Sequence, residues 1–591
     1  MIQTQSGAPQ QSEPVSVRAT VNLKQISRNE ATNAPLIWSL PYFSLVLCLG
    51  LAVVLVLYYM KSIKPFVFLP ADILMWAETN FVGDIIKLRI GVPIYTSPAD
   101  SNAMIYTPAA PILTYAIAWI IGEPTSIPVW RMIQLAFVLC AALLATICCR
   151  TLNQLAYPNQ QIMFPRTFDV FTFLTMFLAA TAPRTGVYVH ALHADALALF
   201  VSMLSFWTML LYLRSPGWGR IILMAVCPAV GYLTKQFLIS WAAVMFVFLL
   251  LNDPRGIKRL ALFLVAATVF LSIAVGVCYL LWGHNFIFWT FEVMGGDRTR
   301  IVVWPGGYNI SLVRSVDHLL RAWLEISLGI IGGWLILRDR NIRKLGPLWV
   351  GWIVLVSSEA FSSGAARHVL YHFGPGVLIG SVWMCAAIAR LWTPTATSAH
   401  AEFPRLVTWA RPLAAAAAVL TMFAILRVLP TLDRFEARYL QRHPSPDVYR
   451  YISEIEREFD GFPIEKVLLD VGNWIYLRHS FLAKDRAVSL ADQPPGGRYE
   501  NFNGLLERIH AQAYDKILVR DFHSSVFLYD WDFWPRSSGV RKALLERYTE
   551  VRTIPAPNGD NLLPPIIMHT GPVSVFIPKR DSDSPFRESW L

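Results

Sequence analysis

The sequence has 591 residues, of which 55% are hydrophobic and only 15% are charged. Soluble domains carry about a quarter charged residues, so this composition excludes an ordinary soluble protein and favours one embedded in a bilayer. The formal net charge of +11 would suit a nucleic-acid-binding protein, but Lys and Arg are concentrated in short loops between apolar runs. That distribution is typical of the cytoplasmic face of a membrane protein, so we expect no nucleic-acid partner.

The chain begins with a polar segment, residues 1–36, that is rich in Gln, Ser and Asn and predicts a disordered tail. The first apolar run is too long for a signal-peptide core and is followed by no small-residue cleavage site, so it predicts a retained membrane anchor. With the later runs we predict eleven transmembrane helices, at 37–59, 129–149, 167–182, 196–213, 221–233, 237–251, 260–282, 322–337, 348–360, 369–389 and 406–428.

The loops between these segments indicate how the chain is oriented. If the N-terminus is cytoplasmic, every predicted inner loop is basic, as the positive-inside rule requires. Eleven crossings then place the C-terminal end outside the cytoplasm. The short apolar run 108–121 is predicted to lie along the outer surface as an interfacial helix, because counting it as a crossing would invert every later segment.

The chain changes character at about residue 433, where charged residues become frequent and β-rich runs alternate with helical patterns. This alternation predicts a small soluble α/β domain with a largely parallel sheet. The β-rich runs are 466–470, 516–519 and 573–578, and the helical patterns are 447–459 and 503–510. The predicted architecture is therefore a cytoplasmic tail (1–36), an all-α polytopic membrane domain (37–432) and an extracytoplasmic α/β domain (433–591).

Two predicted outer loops carry carboxylates close to the membrane. Loop 60–128 contains Asp72 and Glu78, and loop 183–195 ends in Asp195. A carboxylate beside apolar sequence at a membrane face is a candidate functional group, since partial desolvation favours its action as a base. Asp195 also stands where a helix begins, a position at which Asp is a preferred capping residue. The sequence leaves capping and chemistry both open for Asp195.

Three basic residues on the predicted outer side are candidates for binding a phosphate. Lys235 lies between two apolar segments near the outer boundary, and Arg298 and Arg367 lie in outer loops. A lipid phosphate is the natural partner for such cations. Ordinary contact of long basic side chains with lipid headgroups is the simpler alternative for all three.

The spacing of His190, His193 and Asp195 is a weak metal signal. Hard divalent cations prefer oxygen ligands and often bind substrate phosphates. The sequence is therefore compatible with a Mg²⁺ or Mn²⁺ ion held by Asp195 and phosphate oxygens, and it does not establish a metal requirement.

Several short motifs occur in a recognisable order. Asp72 opens segment 72–115, which continues through Gly91-Val92-Pro93-Ile94-Tyr95 to Tyr106-Thr107-Pro108. Later come Asp195 before a helix, Leu233-Thr234-Lys235, and a His- and Tyr-rich stretch at 367–373. This order resembles the type-C glycosyltransferases, the superfamily of lipid A aminoarabinose transferases and protein O-mannosyltransferases. The chain departs from the pattern at Ala109-Ala110, where many members have charged or paired Pro residues.

The resemblance implies an activity and its residues. Members of that superfamily take a sugar from a polyprenyl-phosphate carrier and pass it to a lipid, glycan or protein acceptor at the outer membrane face. It implies inversion at the anomeric carbon, with Asp72 as general base and Asp195 as a second catalytic group, in a multi-pass protein of a bacterial inner membrane. Phosphate binding would fall to Lys235, Arg298 and Arg367, and other substrate contacts to Glu78, Tyr95, Tyr106, His193 and His368.

Two other classes of protein have the same general composition. A transporter or flippase of lipid-linked sugars also needs many helices and cavity-lining charges, but such proteins often have repeated halves and broken helices at mid-membrane. Neither feature is evident in this sequence. A non-catalytic scaffold would give no reason for Asp72, Asp195 and Lys235 to lie on one side of the membrane.

Overall fold

A computed structural model provides the three-dimensional structure. It describes residues 34–73, 76–97, 105–158, 164–253, 256–293, 301–303, 310–365, 370–392, 404–429, 446–483, 502–520, 522–523, 539–557 and 571–579.

The N-terminal two thirds of the chain is built from helices. In chain order these are α1 (Ala34–Val67), α2 (Trp76–Ile90), α3 (Ala109–Ile121), α4 (Ile127–Ala156), α5 (Pro165–Ala180), α6 (Asp195–Arg214), α7 (Trp218–Thr234), α8 (Trp241–Asn252), α9 (Ile257–Trp282), α10 (His284–Ile287), α11 (Leu312–Arg321), α12 (Trp323–Leu337), α13 (Gly346–Ser363), α14 (Gly374–Leu391) and α15 (Pro404–Phe423). A 3₁₀ turn, Gln236–Ser240, joins α7 to α8. The short strands β1 (Ile301–Val302) and β2 (Ile310–Ser311) pair in parallel before α11.

Each of the eleven predicted crossings coincides with a helix, and the predicted interfacial run coincides with α3. In the part of the chain that the structure describes, seven helical spans are long and apolar enough to cross a bilayer alone. The bent pair α11 and α12, with 71° between them, makes an eighth if it is one span. The helical membrane fold is thus confirmed and the chain is an integral membrane protein, while eleven crossings remain a prediction.

Burial separates central from peripheral helices. In α14 the apolar window is 94% buried by other parts of the protein, whereas in α9 it is only 22% buried. Apolar side chains that face lipid have no reason to be covered by protein, because hydrocarbon is as favourable an environment for them as the core. The helices α6 and α14 therefore form the centre of the bundle, and α1 and α9 lie at its edge.

The C-terminal segment forms a small α/β unit around one sheet. Its elements are α16 (Pro446–Arg457), β3 (Val467–Asp470), α17 (Trp474–Arg478), α18 (Asn503–His510), β4 (Lys516–Arg520), α19 (Val540–Arg547), β5 (Tyr548–Ile554) and β6 (Val573–Pro578). The strand order is β3-β4-β6-β5.

The prediction of a largely parallel sheet is wrong. Only β3 and β4 pair in parallel, and β6 lies antiparallel to both β4 and β5. Sequence reasoning missed β5 because its outward positions carry charged residues, including Glu550 and Arg552. Charged side chains are typical of an edge strand, which they protect from further pairing.

Candidate active site

Asp195 and Lys235 form a buried ion pair at the ends of two helices. Asp195 is the first residue of α6, and Lys235 directly follows α7, where its extended backbone (φ −161°, ψ 126°) ends the helix. The Lys235 ammonium donates a hydrogen bond to Asp195 Oδ1, and both side chains are buried. The capping position of α6 belongs to Ala194, which makes no side-chain cap. Asp195 therefore pairs with a cation instead of capping its helix.

His193 lies on the other side of the same carboxylate. Its Nδ1 atom is 3.0 Å from Asp195 Oδ2, and the imidazole is buried. Burial lowers the pKa of His193 below its ordinary value, and the Asp195 carboxylate opposes that shift. The three side chains form a row, His193–Asp195–Lys235, with the negative charge in the middle.

Aromatic rings surround this row. The His193 ring centroid lies 4.9 Å from Tyr188 and 5.0 Å from Phe81. It lies 5.8 Å from Tyr106 and 6.3 Å from Tyr371. These four rings, Phe81, Tyr106, Tyr188 and Tyr371, are called the aromatic wall below. Because they present faces and edges of differing polarity, such rings suit a ligand that has both apolar and hydroxylated surfaces.

The aromatic wall also contacts the cation. The Lys235 ammonium lies 4.3 Å from the centroid of the Tyr371 ring and 5.3 Å from that of Phe237. A ring face attracts a cation more strongly when water is excluded. Lys235 is thus held by one carboxylate and two rings, all within the protein.

Tyr95 and Tyr106, both predicted to bind substrate, have different environments. The Tyr95 hydroxyl donates to the Tyr106 carbonyl at 2.6 Å, and its buried ring packs against Trp282 and Phe286 at 5.2 Å each. Gln236 donates to the neighbouring Ile105 carbonyl. Tyr95 therefore fixes the loop that carries Tyr106, whereas the Tyr106 ring itself belongs to the aromatic wall.

Glu78 forms a buried, bidentate ion pair with Arg131. The guanidinium donates to the two carboxylate oxygens at 2.8 and 2.5 Å, and Leu192 N donates to Glu78 Oε1 at 2.9 Å. Arg131 also donates to the carbonyls of Phe66, Leu69 and Ala71. Through these contacts Glu78 connects α2 and α4 to the loop that precedes Asp195.

Asp72 contacts the C-terminal domain. Its carboxylate is buried and accepts hydrogen bonds from the backbone N–H groups of Asn473 and Trp474. Its carbonyl oxygen accepts from the Thr79 hydroxyl on α2 at 3.2 Å. Asp72 therefore connects the C-terminal domain to α2, the helix that also carries Glu78 and Phe81.

Three of the predicted site residues lie outside the described residues, so the structure does not place them. They are Arg298, Arg367 and His368. Tyr371, four residues after Arg367, is described and lies beside Lys235.

The donor set around Asp195 does not fit a resident metal ion. One carboxylate oxygen contacts the Lys235 ammonium and the other faces His193. A divalent cation would meet the lysine charge within the same few ångströms, and His190 packs instead against the Phe66 ring at 5.0 Å. Among the described residues no group of three or more His, Cys, Asp or Glu side chains is arranged to hold a metal.

Sequence reasoning missed several residues of this region. Arg131 had a usable signal, because a charged residue inside an apolar run marks a buried partner. Tyr188 stands five residues before His193 in a loop already singled out, but nothing in the sequence gives its orientation. Asn473 and Trp474 had no signal, since they approach Asp72 from about 400 residues away.

Comparisons with known proteins identify the fold. The chain is similar to the crystal structure of ArnT from Cupriavidus metallidurans bound to undecaprenyl phosphate, with a TM-score of 0.51 and 13% identity over 90% of this chain and 97% of that one. The chain has the fold of ArnT. The resemblance to type-C glycosyltransferases noted in the sequence is thereby confirmed at the level of the fold.

Two further structures are similar to a smaller degree. ArnT from the same organism in the apo state gives a TM-score of 0.48 at 13% identity, covering 79% of this chain and 91% of that one. The apo oligosaccharyltransferase of Archaeoglobus fulgidus gives 0.47 at 13% identity, covering 86% and 73%. No protein-family model and no curated protein sequence matches the chain.

Proposed function

We propose that this protein is a membrane glycosyltransferase that moves a sugar from a polyprenyl-phosphate donor to an acceptor at the outer face of the membrane. The observation that carries the proposal is the buried row His193–Asp195–Lys235 at the ends of α6 and α7, bordered by the aromatic wall. The shared fold with ArnT, whose crystal structure holds undecaprenyl phosphate, supports a lipid-linked donor. The acceptor class, whether lipid, glycan or protein, is left open.

Lys235 binds the donor phosphate in this mechanism. The ammonium offsets the negative charge that grows on the phosphate as its bond to the sugar breaks, which lowers the barrier. Asp195 acts as the positioning residue, because its carboxylate keeps the ammonium charged and directed within a buried site. Arg298 and Arg367 are proposed as further phosphate ligands and His368 as a substrate contact, on the motif order alone.

The aromatic wall is proposed to receive the sugar. Its rings lie against His193 and Lys235, so a sugar stacked on them would place its anomeric carbon near the phosphate that Lys235 holds. Glu78 and Tyr95 stabilise the aromatic wall, since each is hydrogen-bonded to a loop that carries one of the four rings.

Asp72 is proposed as the general base. An acceptor hydroxyl attacks the anomeric carbon from the face opposite the phosphate, so the configuration inverts. Its proton passes to the Asp72 carboxylate as the new C–O bond forms, and the C–O bond to phosphate breaks to release polyprenyl phosphate. The acidic residue and the cation thus serve opposite faces of one sugar.

The proposed topology follows from the same reaction. We place the N-terminus in the cytoplasm, the catalytic membrane domain at 37–432, and the C-terminal domain at 433–591 outside the cytoplasm. In a bacterium this is the inner membrane with the active site on its outer side, where polyprenyl-phosphate sugars are presented.

The test is release of polyprenyl phosphate from radiolabelled polyprenyl-phosphate sugars by the purified protein in lipid vesicles. Lys235→Met should lower the release rate at least about 100-fold, because the leaving group loses its cation within a dry site. Lys61→Met is the matched control, since Lys61 is exposed near the end of α1; it should keep wild-type activity.

Two outcomes would contradict the proposal. If the wild-type protein releases no polyprenyl phosphate from any donor but carries the intact donor across the vesicle membrane, the protein is a flippase. If Lys235→Met keeps near-normal release while folding normally, Lys235 does not hold the leaving group.

A further inference from the structure

The C-terminal domain binds the carboxylate of Asp72, which the proposed reaction needs as its base. Asn473 N lies 2.9 Å from both Asp72 oxygens, and Trp474 N lies 3.1 Å from Oδ1. Asp72 has no exposed surface in this arrangement. An acceptor hydroxyl therefore cannot reach Asp72 while the segment Gly472–Trp474 stays in place. This segment, with Asp72, is called the clasp below.

A second set of contacts fixes the clasp to α2. The Asn473 side-chain amide donates to the Thr79 carbonyl at 2.9 Å, and Arg89 donates to the Leu477 carbonyl at 3.1 Å. Thr79 in turn bonds the Asp72 carbonyl. Helix α17 thus lies along α2, the helix that supplies Glu78 and Phe81 to the site.

The clasp is rigid within its own domain. The Tyr476 hydroxyl donates to the Val467 carbonyl and accepts from Leu469 N, which ties α17 to strand β3. The Trp474 indole donates to Glu456 on α16. Because α17 is bonded to β3 and α16, it is expected to leave Asp72 together with its domain and not by unwinding alone.

A purely structural role is the alternative. Asp is a common cap at a helix N-terminus, and the Asp72 carboxylate accepts hydrogen bonds from the N–H groups of Asn473 and Trp474, where α17 begins. A cap, however, has no need to open during turnover. The two roles therefore predict different transfer rates when the clasp is held shut: closure blocks transfer if the segment must open, and leaves it unchanged if the contact is only a cap.

We infer that the clasp is a lid: the C-terminal domain covers Asp72 between turnovers, and it withdraws to admit the acceptor. The inference rests on the proposed function and deepens it, since it gives the C-terminal domain control of the acceptor side and leaves donor binding at Lys235 alone.

The first experiment holds the lid shut. Thr79→Cys combined with Asn473→Cys places two thiols across the clasp, to be joined as a disulfide or by a short bifunctional thiol reagent. We expect the joined protein to lose at least about 100-fold in transfer rate, the contribution of a blocked general base. Donor binding should stay that of the unjoined protein, and reduction should restore transfer in the disulfide-joined protein. Each single variant under the same treatment is the control.

The second experiment loosens the lid. A Cβ at Gly472 would lie 2.8 Å from Asp72 Oδ1 and 2.6 Å from the Trp474 ring, so Gly472→Ala should push the clasp open. Gly504→Ala is the matched control in the same domain, because its Cβ would meet only ordinary contacts with the Arg508 side chain. In Gly472→Ala we expect faster hydrogen exchange at the Asn473 and Trp474 amides and more donor hydrolysis without acceptor, as water reaches the site.

Full transfer by the joined protein would overturn the lid, and so would faster exchange in Gly472→Ala with unchanged hydrolysis and transfer. These results differ from failure of the proposed function. If no donor releases polyprenyl phosphate in the wild-type protein, the transferase proposal fails, whereas cross-linking and exchange still report whether the clasp exists.

Discussion

The residue Lys235 shows how a single side chain can define a site within an apolar bundle. A buried ammonium is costly unless it is paired, and here Asp195 and the Tyr371 ring supply the pairing. Helix α7 ends at Lys235, whose backbone is extended, and from that position the side chain reaches Asp195. Asp195 is thus placed to hold the cation in one direction.

Asp195→Asn tests that role. The amide keeps the shape of the carboxylate but removes the charge, so the ammonium loses its direction and a misplaced group costs up to about 100-fold in rate. We expect the transfer rate to fall by that order in a radiolabel assay. Asp253→Asn is the control, because Asp253 pairs with Arg259 in a half-exposed position away from the site; such pairs contribute little. A normal transfer rate in Asp195→Asn would show that Asp195 has no part in the mechanism.

A second carboxylate, Asp84 on α2, predicts a pH dependence of stability. Burial raises its pKa to about 7, although Lys87 at 3.3 Å opposes the shift. In the unfolded chain Asp84 loses its proton near the ordinary aspartate pKa of about 3.9, so between these pH values the folded state binds more protons. Stability therefore falls as pH rises from about 4 to about 7 and is flat above that range.

Melting temperatures of the wild type and of Asp84→Asn, compared from pH 5 to pH 8, measure this contribution. The asparagine does not titrate, so the wild type should lose stability relative to Asp84→Asn as the pH rises. A constant difference between the two curves would show that Asp84 titrates alike in the folded and unfolded states.

At the scale of elements, the pairing of α12 with α14 depends on close helix approach. A Cβ at Gly332 would lie 2.5 Å from Met384 N and 2.6 Å from the Trp383 carbonyl carbon, which are backbone atoms of α14. Small residues at such contacts let helix backbones pack tightly in a membrane, where burial of apolar surface gives no driving force. The pair of α12 and α14 is therefore stabilised by the close packing of the two helices.

Gly332→Ala should destabilise the protein by about 1–3 kcal/mol, the range for an overpacked contact. Gly276→Ala in α9 is the matched control, because nothing lies within 4 Å of its added Cβ, and it should be neutral or stabilising. Thermal unfolding in detergent, followed by fluorescence-detected size exclusion, compares the two. Equal melting temperatures would show that α12 and α14 can separate at little cost.

At the scale of the whole molecule, the long apolar runs predict the apolar helices of the membrane domain and their order, but not α2 or α11. Local patterns could not predict the contacts that assemble the site. Glu78 and Arg131 are 53 positions apart, and Asp72 is 401 positions from Asn473. Residue type and flanking sequence indicate Lys235 and Asp195 as candidates, but only the fold shows that the two side chains are in contact. The edge strand β5 is not predicted by the sequence, because its outward-facing charged residues are also typical of a loop.

The orientation of the whole chain is the last quantity that sequence patterns predict. The proposed reaction requires the end of α1, the site and the C-terminal domain to face one compartment, with the loop after α12 facing the other. Lys61 is exposed near the end of α1, Glu465 in the C-terminal domain and Lys344 in the loop after α12. Each is changed to Cys, and intact cells are treated with a membrane-impermeant thiol reagent, with the unaltered protein as background.

We expect Lys61→Cys and Glu465→Cys to be labelled in intact cells, and Lys344→Cys only after permeabilisation. The physical reason is the cluster of basic residues around Lys344, which the positive-inside rule keeps in the cytoplasm. Labelling of Lys61→Cys and Glu465→Cys from opposite sides would separate the site from its lid. Since the Asp72 carboxylate bonds directly to the C-terminal domain, that result is incompatible with the contacts at Asn473 and Trp474.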